Sequence, residues 1–199
     1  MQEELNQFER NKVWTLVPRP KHHPIIGAKW VFINKMNEQG VITRNKARLA
    51  AKDYNKEEDI DYDETFALIV RLEAIRMLLA FASFMDFKLY QMDVKSAFLN
   101  GFIEEEIYIE QPPHFESFDF LNHVFKLSKA LYGLKQALRA WYERLSNFLL
   151  EKGFSKGKVD TTLFIKKSKH DLLIVQIYVD DILFCATNHC LCEEFSKLM

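Results

Sequence analysis

The chain is short of cysteine, of net charge and of long apolar runs, and each shortage closes off a class of protein. Its three cysteines, Cys185, Cys190 and Cys192, fall in one short stretch. An odd number in one cluster does not build a disulfide framework, and no second cluster completes a zinc site. A reducing compartment is the default for such a chain, so a cytoplasmic location is expected. The formal net charge of −1 does not announce a nucleic-acid binder. No apolar run reaches the ~20 residues that a bilayer-spanning helix needs. The longest, Leu172 to Ala186, is interrupted by Asp180 and Asp181, so no membrane partner is expected. Met1-Gln2-Glu3-Glu4 does not open a secretory signal. Internal repeats, low-complexity tracts and linkers are also missing.

What is present is enough for one sizeable core, or one domain with a lobe: 199 residues, 17 of them Phe, with 28% charged residues. The charge is unevenly spread. Residues 29–56 hold Lys29, Lys35, Arg44, Lys46, Arg48, Lys52 and Lys56 against Glu38 and Asp53, a net +5. Glu104-Glu105-Glu106 and the stretch from Glu57 to Glu64 are acidic. A basic segment suits a polyanion; a solvated charged hairpin would look the same.

Residues 2–11 are expected to be helical, with Val13 to Val17 a short strand. Lys29 to Asn37 and Val41 to Lys52 predict a long hairpin joined through Glu38-Gln39-Gly40. Leu72, Ile75, Leu79 and Ala82 recur at helical spacing, predicting a helix over about 71–86. Lys95 to Asn100 is expected as a short helix capped by Gly101. Ile107 to Ile109, His123 to Leu127, Leu163 to Lys166, Leu172 to Val179 and Ile182 to Ala186 have strand character. Helices are expected from Ala137 to Lys152, closed by Gly153, and from the last strand to Met199. This order predicts an α+β fold, an antiparallel sheet backed by helices.

Two acidic sites sit in apolar, β-branched runs: Asp93 closing Lys88-Leu89-Tyr90-Gln91-Met92-Asp93, and Asp180-Asp181 following Ile174 to Val179. A carboxylate buried in such a run needs a partner or a metal. Three carboxylates on neighbouring strands would suit divalent cations and phosphoryl transfer. Asp-Asp between two apolar runs is equally an ordinary hairpin tip.

One hairpin and five further segments then carry a resemblance. Tyr178-Val179-Asp180-Asp181 resembles the active-site hairpin of reverse transcriptases. Gly27 to Phe32, Lys46 to Leu49, Gln91 to Gly101, Leu131 to Gln136 and Arg139 to Tyr142 resemble the copia-type retrotransposon polymerases in particular. The resemblance runs from about Trp14 to Met199. It implies fingers over about 13–70 and a palm over about 71–199. It implies RNA- or DNA-templated DNA synthesis on a primer, from deoxynucleoside triphosphates, with two magnesium ions. Asp93 and Asp180 would bridge the metals, Asp181 would shape the site, and the Val94 carbonyl would add a ligand. Phe98 matches an aromatic gate under the sugar, against the alternative of a core Phe. Lys46 and Arg48 would grip the triphosphate, and Tyr132 and Lys135 would flank the nucleotide or template.

The chain departs from the family it resembles at several points. Asp53, His114 and Cys185 stand where glycine is usual, and Leu68 and Leu138 where proline is usual. Glycine at such points is expected to serve positive φ or close backbone approach. The resemblance also implies a polyprotein with capsid, protease and integrase regions, and a chain truncated before the thumb. Poor duplex binding is then expected. A non-catalytic retrotransposon remnant, or a two-metal nuclease sharing the acids, remain the other readings.

Overall fold

The computed structural model describes residues 1–53 and 72–199. In chain order the elements are α1 (Gln2–Arg10), β1 (Trp14–Pro18), β2 (Ile25–Ile26), β3 (Ala28–Met36), β4 (Ile42–Ala51), α2 (Leu72–Phe84), β5 (Leu89–Asp93), β6 (Tyr108–Ile109), β7 (His123–Leu127), α3 (Ala137–Glu151), β8 (Ser155–Lys156), β9 (Leu163–Lys167), β10 (Leu172–Tyr178), β11 (Asp181–Ala186) and α4 (His189–Leu198). They form two compact units. The described part of the first is 1–53 with 98–141, and of the second 72–97 with 142–199. No helix among the described residues is long and apolar enough to cross a membrane.

The first unit holds a four-stranded sheet in the order β1-β7-β6-β2 and the two-stranded β3–β4 ribbon. Leu5 and Phe8, one helical turn apart, bury the inner face of α1. The core closes on Phe8, Val13, Leu49, Leu99, Ile109 and Leu131, all fully buried. Trp14 stacks on Phe125 at 4.1 Å and meets Phe8 edge-on at 4.8 Å. Such ring contacts add about 1 kcal/mol each beyond the area they bury. An all-antiparallel arrangement is not what forms. β2 pairs with β6 in parallel, Ile25 with Tyr108 and Ile26 with Ile109. Two residues carry no alternation to read, and the strands lie more than eighty residues apart.

The second unit is a five-stranded antiparallel sheet in the order β5-β11-β10-β9-β8. Both faces are covered. On one, Leu78 and Ala82 of α2 pack on Ile174 and Cys185. On the other, Phe195 of α4 packs on Phe184 at 5.0 Å. A strand buried on both faces shows a continuous apolar run, which is why Leu172 to Ile177 lacks alternation. The exception is Gln176, 2% exposed, whose Nε2 donates to Thr162 Oγ1 at 2.6 Å and Asp160 Oδ2 at 3.2 Å. That polar bridge anchors the approach to β9 and satisfies the amide inside the core.

Two local expectations change. The helix expected over Lys95 to Asn100 shrinks to a 3₁₀ turn, Ala97–Asn100. Gly101 is not a left-handed cap. A Cβ there would stand 2.6 Å from the Trp141 nitrogen and 2.7 Å from the Ala140 carbonyl carbon, so glycine serves close approach to α3.

The cysteines test the packing of the second unit. Burial pushes the Cys185 thiol up to about 11, with Cys192 adding to the rise, and burial also raises Cys192, whereas Cys190 is exposed. The thiolate is the nucleophile, so a raised, buried thiol is inert. A maleimide near pH 8 is expected to label Cys190 within minutes, and Cys185 and Cys192 only after denaturation, as read by mass spectrometry of peptides. Labelling of native Cys185 as fast as Cys190 would mean that α2 does not cover its face of the sheet.

Candidate active site

The acids meet through strand register. β5 runs antiparallel to β11, and Asp93 lies directly opposite Asp181, with Met92 opposite Ile182 and Gln91 opposite Leu183. Directly opposed residues share a face, with Cβ atoms about 4.5–5.5 Å apart. Tyr178 pairs with Asp181 across β10 and β11, so Val179 and Asp180 form a two-residue turn. Asp180 is therefore in the turn, and the cross-strand neighbour of Asp93 is Asp181. The turn is tied to β5 through its backbone: the Val94 N–H donates to the Asp180 carbonyl at 2.8 Å. Gln91, two positions before Asp93 and so on the same face, donates from Nε2 to Asp181 Oδ1 at 3.0 Å. Gln91 is not among the site residues expected from the sequence, although its period-2 relation to Asp93 is visible there.

The cost expected from burying these carboxylates does not arise. Asp93 is exposed, and Asp180 and Asp181 are partly exposed, because they stand where the strands end rather than inside the sheet. Among the described residues, no three His, Cys, Asp or Glu side chains gather as a cage for a metal ion. Register sets Asp93 and Asp181 on one face at the sheet's end, and both carboxylates are open to solvent. This fits magnesium, a hard cation that keeps several waters and is commonly held by one or two carboxylates plus substrate phosphates.

The turn itself is strained. Val179 has φ +55, and Asp180 is not among the non-glycine residues with positive φ. Positive φ at the first central position alone is the type II′ pattern, whose twist suits a two-residue hairpin and which normally takes glycine there. For a β-branched residue it is an outlier costing of order 1–3 kcal/mol. The fully paired β10–β11 ladder on one side and the Val94 contact on the other hold it in place.

The other candidate residues gather in the first unit. Arg48 lies on β4 with its Cζ 4.7 Å from the centre of the Tyr132 ring. Phe98 meets the same ring edge-on at 5.1 Å. Tyr132 is fixed by its own backbone, because the Ala51 N–H donates to its carbonyl at 2.8 Å. Gly133 follows with φ +89, and a Cβ there would lie 2.4 Å from the Ala51 oxygen. The turn 131–136 is thus pressed against β4 as only glycine allows. The Lys135 N–H donates to Asp53 Oδ2 at 3.3 Å. Phe98 is half-buried and also packs on the unit's core, so it serves both as core residue and as part of the ring cluster.

Register also organises the basic ribbon. Lys29 faces Ala50, Val31 faces Arg48, Ile33 faces Lys46 and Lys35 faces Arg44. Lys29, Lys35, Arg44, Lys46 and Arg48 therefore share one face, and Trp30 and Phe32 lie on the other.

The departures from glycine and proline resolve differently from one another. His114 has φ +69 on the surface, a conformation that glycine adopts freely. Asp53 and Cys185 have no positive φ. Asp53 is buried and accepts from Lys135, and Cys185 is fully buried against α2. Leu138 is the second residue of α3, where a proline would break no helical hydrogen bond. Leu68 lies outside the described residues.

The chain matches the family described as reverse transcriptase (RNA-dependent DNA polymerase) over residues 11–199, and it belongs to that family. Three of its relatives are copia-type Pol polyproteins of plant transposons. It is 44% identical over 184 residues to the retrovirus-related Pol polyprotein from transposon RE1 of Arabidopsis thaliana, covering 92% of this chain and 13% of that protein. To the corresponding protein from transposon RE2 of the same plant it is 42% identical, with 92% and 13% covered. To the Pol polyprotein from transposon TNT 1-94 of Nicotiana tabacum it is 40% identical, with 92% and 14% covered. The chain thus spans about an eighth of the length of these relatives.

Stability measurements separate the glycine-type positions. His114→Gly is expected to raise stability by about 1 kcal/mol, because it removes backbone strain at little cost in packing. Cys185→Gly is expected to lower it by about 2 kcal/mol, through a lost buried side chain and added strand entropy. Denaturant titration of both variants checks the pair, and a stabilising Cys185→Gly would contradict the packing of α2 on β11.

Proposed function

We infer that this chain carries the fingers (about 13–70) and palm (about 71–199) of an RNA-directed DNA polymerase from a copia-type element, working by two-metal nucleotidyl transfer. The observation that carries the reading is the register of β5 on β11, which sets Asp93 opposite Asp181 and ties the Asp180 turn to the residue after Asp93. Five ordered sequence segments and the family match support it. The whole polyprotein's activities, and its capsid, protease and integrase regions as partners, enter only by analogy with the relatives.

In this reading Asp93 and Asp180, with Asp181 and the Val94 carbonyl, would hold two magnesium ions. The ions, when bound, lower the barrier by neutralising charge on the transferring phosphate and on the attacking and leaving oxygens. The protein's own part is positional. The β10–β11 ladder and the Val94 N–H fix the backbone of the turn that carries Asp180. Gln91 holds one oxygen of Asp181 and leaves Asp93 open to solvent and ligand. Lys46 and Arg48 supply cations for the triphosphate. Tyr132 and Lys135 flank the nucleotide, and the Phe98 ring packs under the sugar, where a 2′-hydroxyl would clash.

The test is extension of an annealed DNA primer on an RNA template with deoxynucleoside triphosphates and Mg²⁺. The chain is expected to add a few nucleotides without processivity, and Asp93→Asn and Asp180→Asn to lower that by about a hundredfold or more. Manganese-induced broadening of amide signals at 93, 94 and 180–182, lost in the same variants, reports the metal site independently of turnover. Extension unaffected by either substitution would overturn the assignment. Metal binding without any extension would favour a non-catalytic remnant.

A further inference from the structure

Helix α2 carries more apolar surface than its own sheet uses. Between Leu72 and Phe84 its only charged residues are Glu73 and Arg76. Leu78 and Ala82 turn inwards and pack on Ile174 and Cys185. A helix with that single task would be polar on its remaining surface. Instead Met77 is 67% exposed, Phe81 38% and Phe84 85%, and Met85, the residue after the helix, is 43% exposed. Met77, Phe81 and Phe84 stand at i, i+4 and i+7, so they form a second stripe, separate from the buried one and open to solvent.

The end of the stripe is held in place. The Met85 N–H donates to the Phe81 carbonyl at 2.9 Å, and the Phe87 N–H donates to the Ala82 carbonyl at 2.7 Å. Asp86 between them has φ +55, and the Phe87 ring meets Phe81 edge-on at 6.0 Å. The charges at the rim are exposed: Glu73 and Arg76 towards one end, Asp86 at the other. Lys88 is not part of that rim, because its Nζ lies 5.4 Å from the centre of the Tyr90 ring. The two acids outnumber the one cation, which argues against a nucleic acid or an anionic lipid surface on this face.

We propose that this face of α2 is a contact between two copies of the chain, with their α2 helices packed antiparallel across a two-fold axis at Phe81. Such an axis sets residues equally far before and after Phe81 opposite one another. Met77 then meets the partner's Met85, and Arg76 meets the partner's Asp86, each contact occurring twice. The face is thus self-complementary in charge as well as apolar. At ~200 Å² for a large side chain, the exposed parts of the four apolar residues come to about 450 Å² per copy and about 900 Å² in a pair. That is near the ~1,000 Å² of a specific interface, so the surface supports a weak dimer whose population follows concentration.

The experiment is sedimentation velocity of the full chain from about 1 to about 200 μM, with the melting temperature of every variant measured alongside. The parent is expected to shift from monomer towards dimer across that range. Phe84→Glu, at a side chain with little packing to lose, is expected to weaken association about tenfold or more without lowering the melting temperature. Arg76→Glu and Asp86→Lys are each expected to weaken it about fivefold, because each sets like charges opposite one another twice. Lys12 already holds φ +52 in this chain, so lysine is compatible with the backbone at Asp86. Mixed in equal amounts, these two variants are expected to associate about as tightly as the parent, since both contacts again join opposite charges. A parent that stays monomeric throughout overturns the proposal, and so does a folded Phe84→Glu variant that associates as the parent does. A mixture that associates no better than its two components overturns the antiparallel pairing and the proposal with it.

Discussion

The pairing of β5 with β11 is the constraint on which the candidate site depends. Side chains alternate with period two, so a slip of one residue in β5 would turn Asp93 to the opposite face from Asp181 and Tyr90 away from Phe184, on which it stacks. That slip is opposed from both sides of the sheet. α2 fills the face that carries Ile174 and Cys185, and α4 fills the face that carries Phe184. Fully burying side chains of this size contributes about 1.5–3 kcal/mol each, so the several buried on the two faces together outweigh the ~1–3 kcal/mol of strain in the Val179 turn. The apolar faces win, and the turn bends to suit them.

The first unit uses a different device to the same end. Backbone contact, not side-chain packing, fixes the Tyr132 turn: the Ala51 N–H meets the Tyr132 carbonyl, and Gly133 lies against the same residue of β4. Arg48, three residues earlier on that strand, then falls over the Tyr132 ring, and Phe98 closes the cluster. A cation over a ring contributes about 0.5–2 kcal/mol, depending on solvent. Its larger effect here is to limit where a flexible arginine points.

Much of this was legible because the signals were local. Two strand-like runs joined through Glu38-Gln39-Gly40 located the ribbon, helical spacing found α2, although Leu78 and not the expected Leu79 joins Ala82 on its buried face, and the acids stood at the ends of apolar runs. What escaped depended on partners distant in sequence. Nothing in Ile25-Ile26 announces a parallel neighbour at Tyr108. Gly101 looked like a cap because it follows a short helix, yet its role is set by Ala140 and Trp141. Asp180 and Asp181 could not be told apart until Tyr178 was seen to pair with Asp181, which assigns one aspartate to the turn and the other to the strand.

The shortness of that turn bears on how the chain can change in length. Between Tyr178 and Asp181 there are two residues, and the carbonyl of one is already bound to Val94. An inserted or deleted codon there would either swing Asp180 off the Val94 N–H or force the ladder to shift. The tip of the basic ribbon is different. Asn37 closes it by accepting the N–H groups of Gln39 and Val41, and its residues are exposed. The turn from Ser168 to Asp171 is closed by one backbone hydrogen bond at 2.9 Å. Relatives of differing length should therefore gain or lose residues at those two turns, and the count between Tyr178 and Asp181 should stay at two.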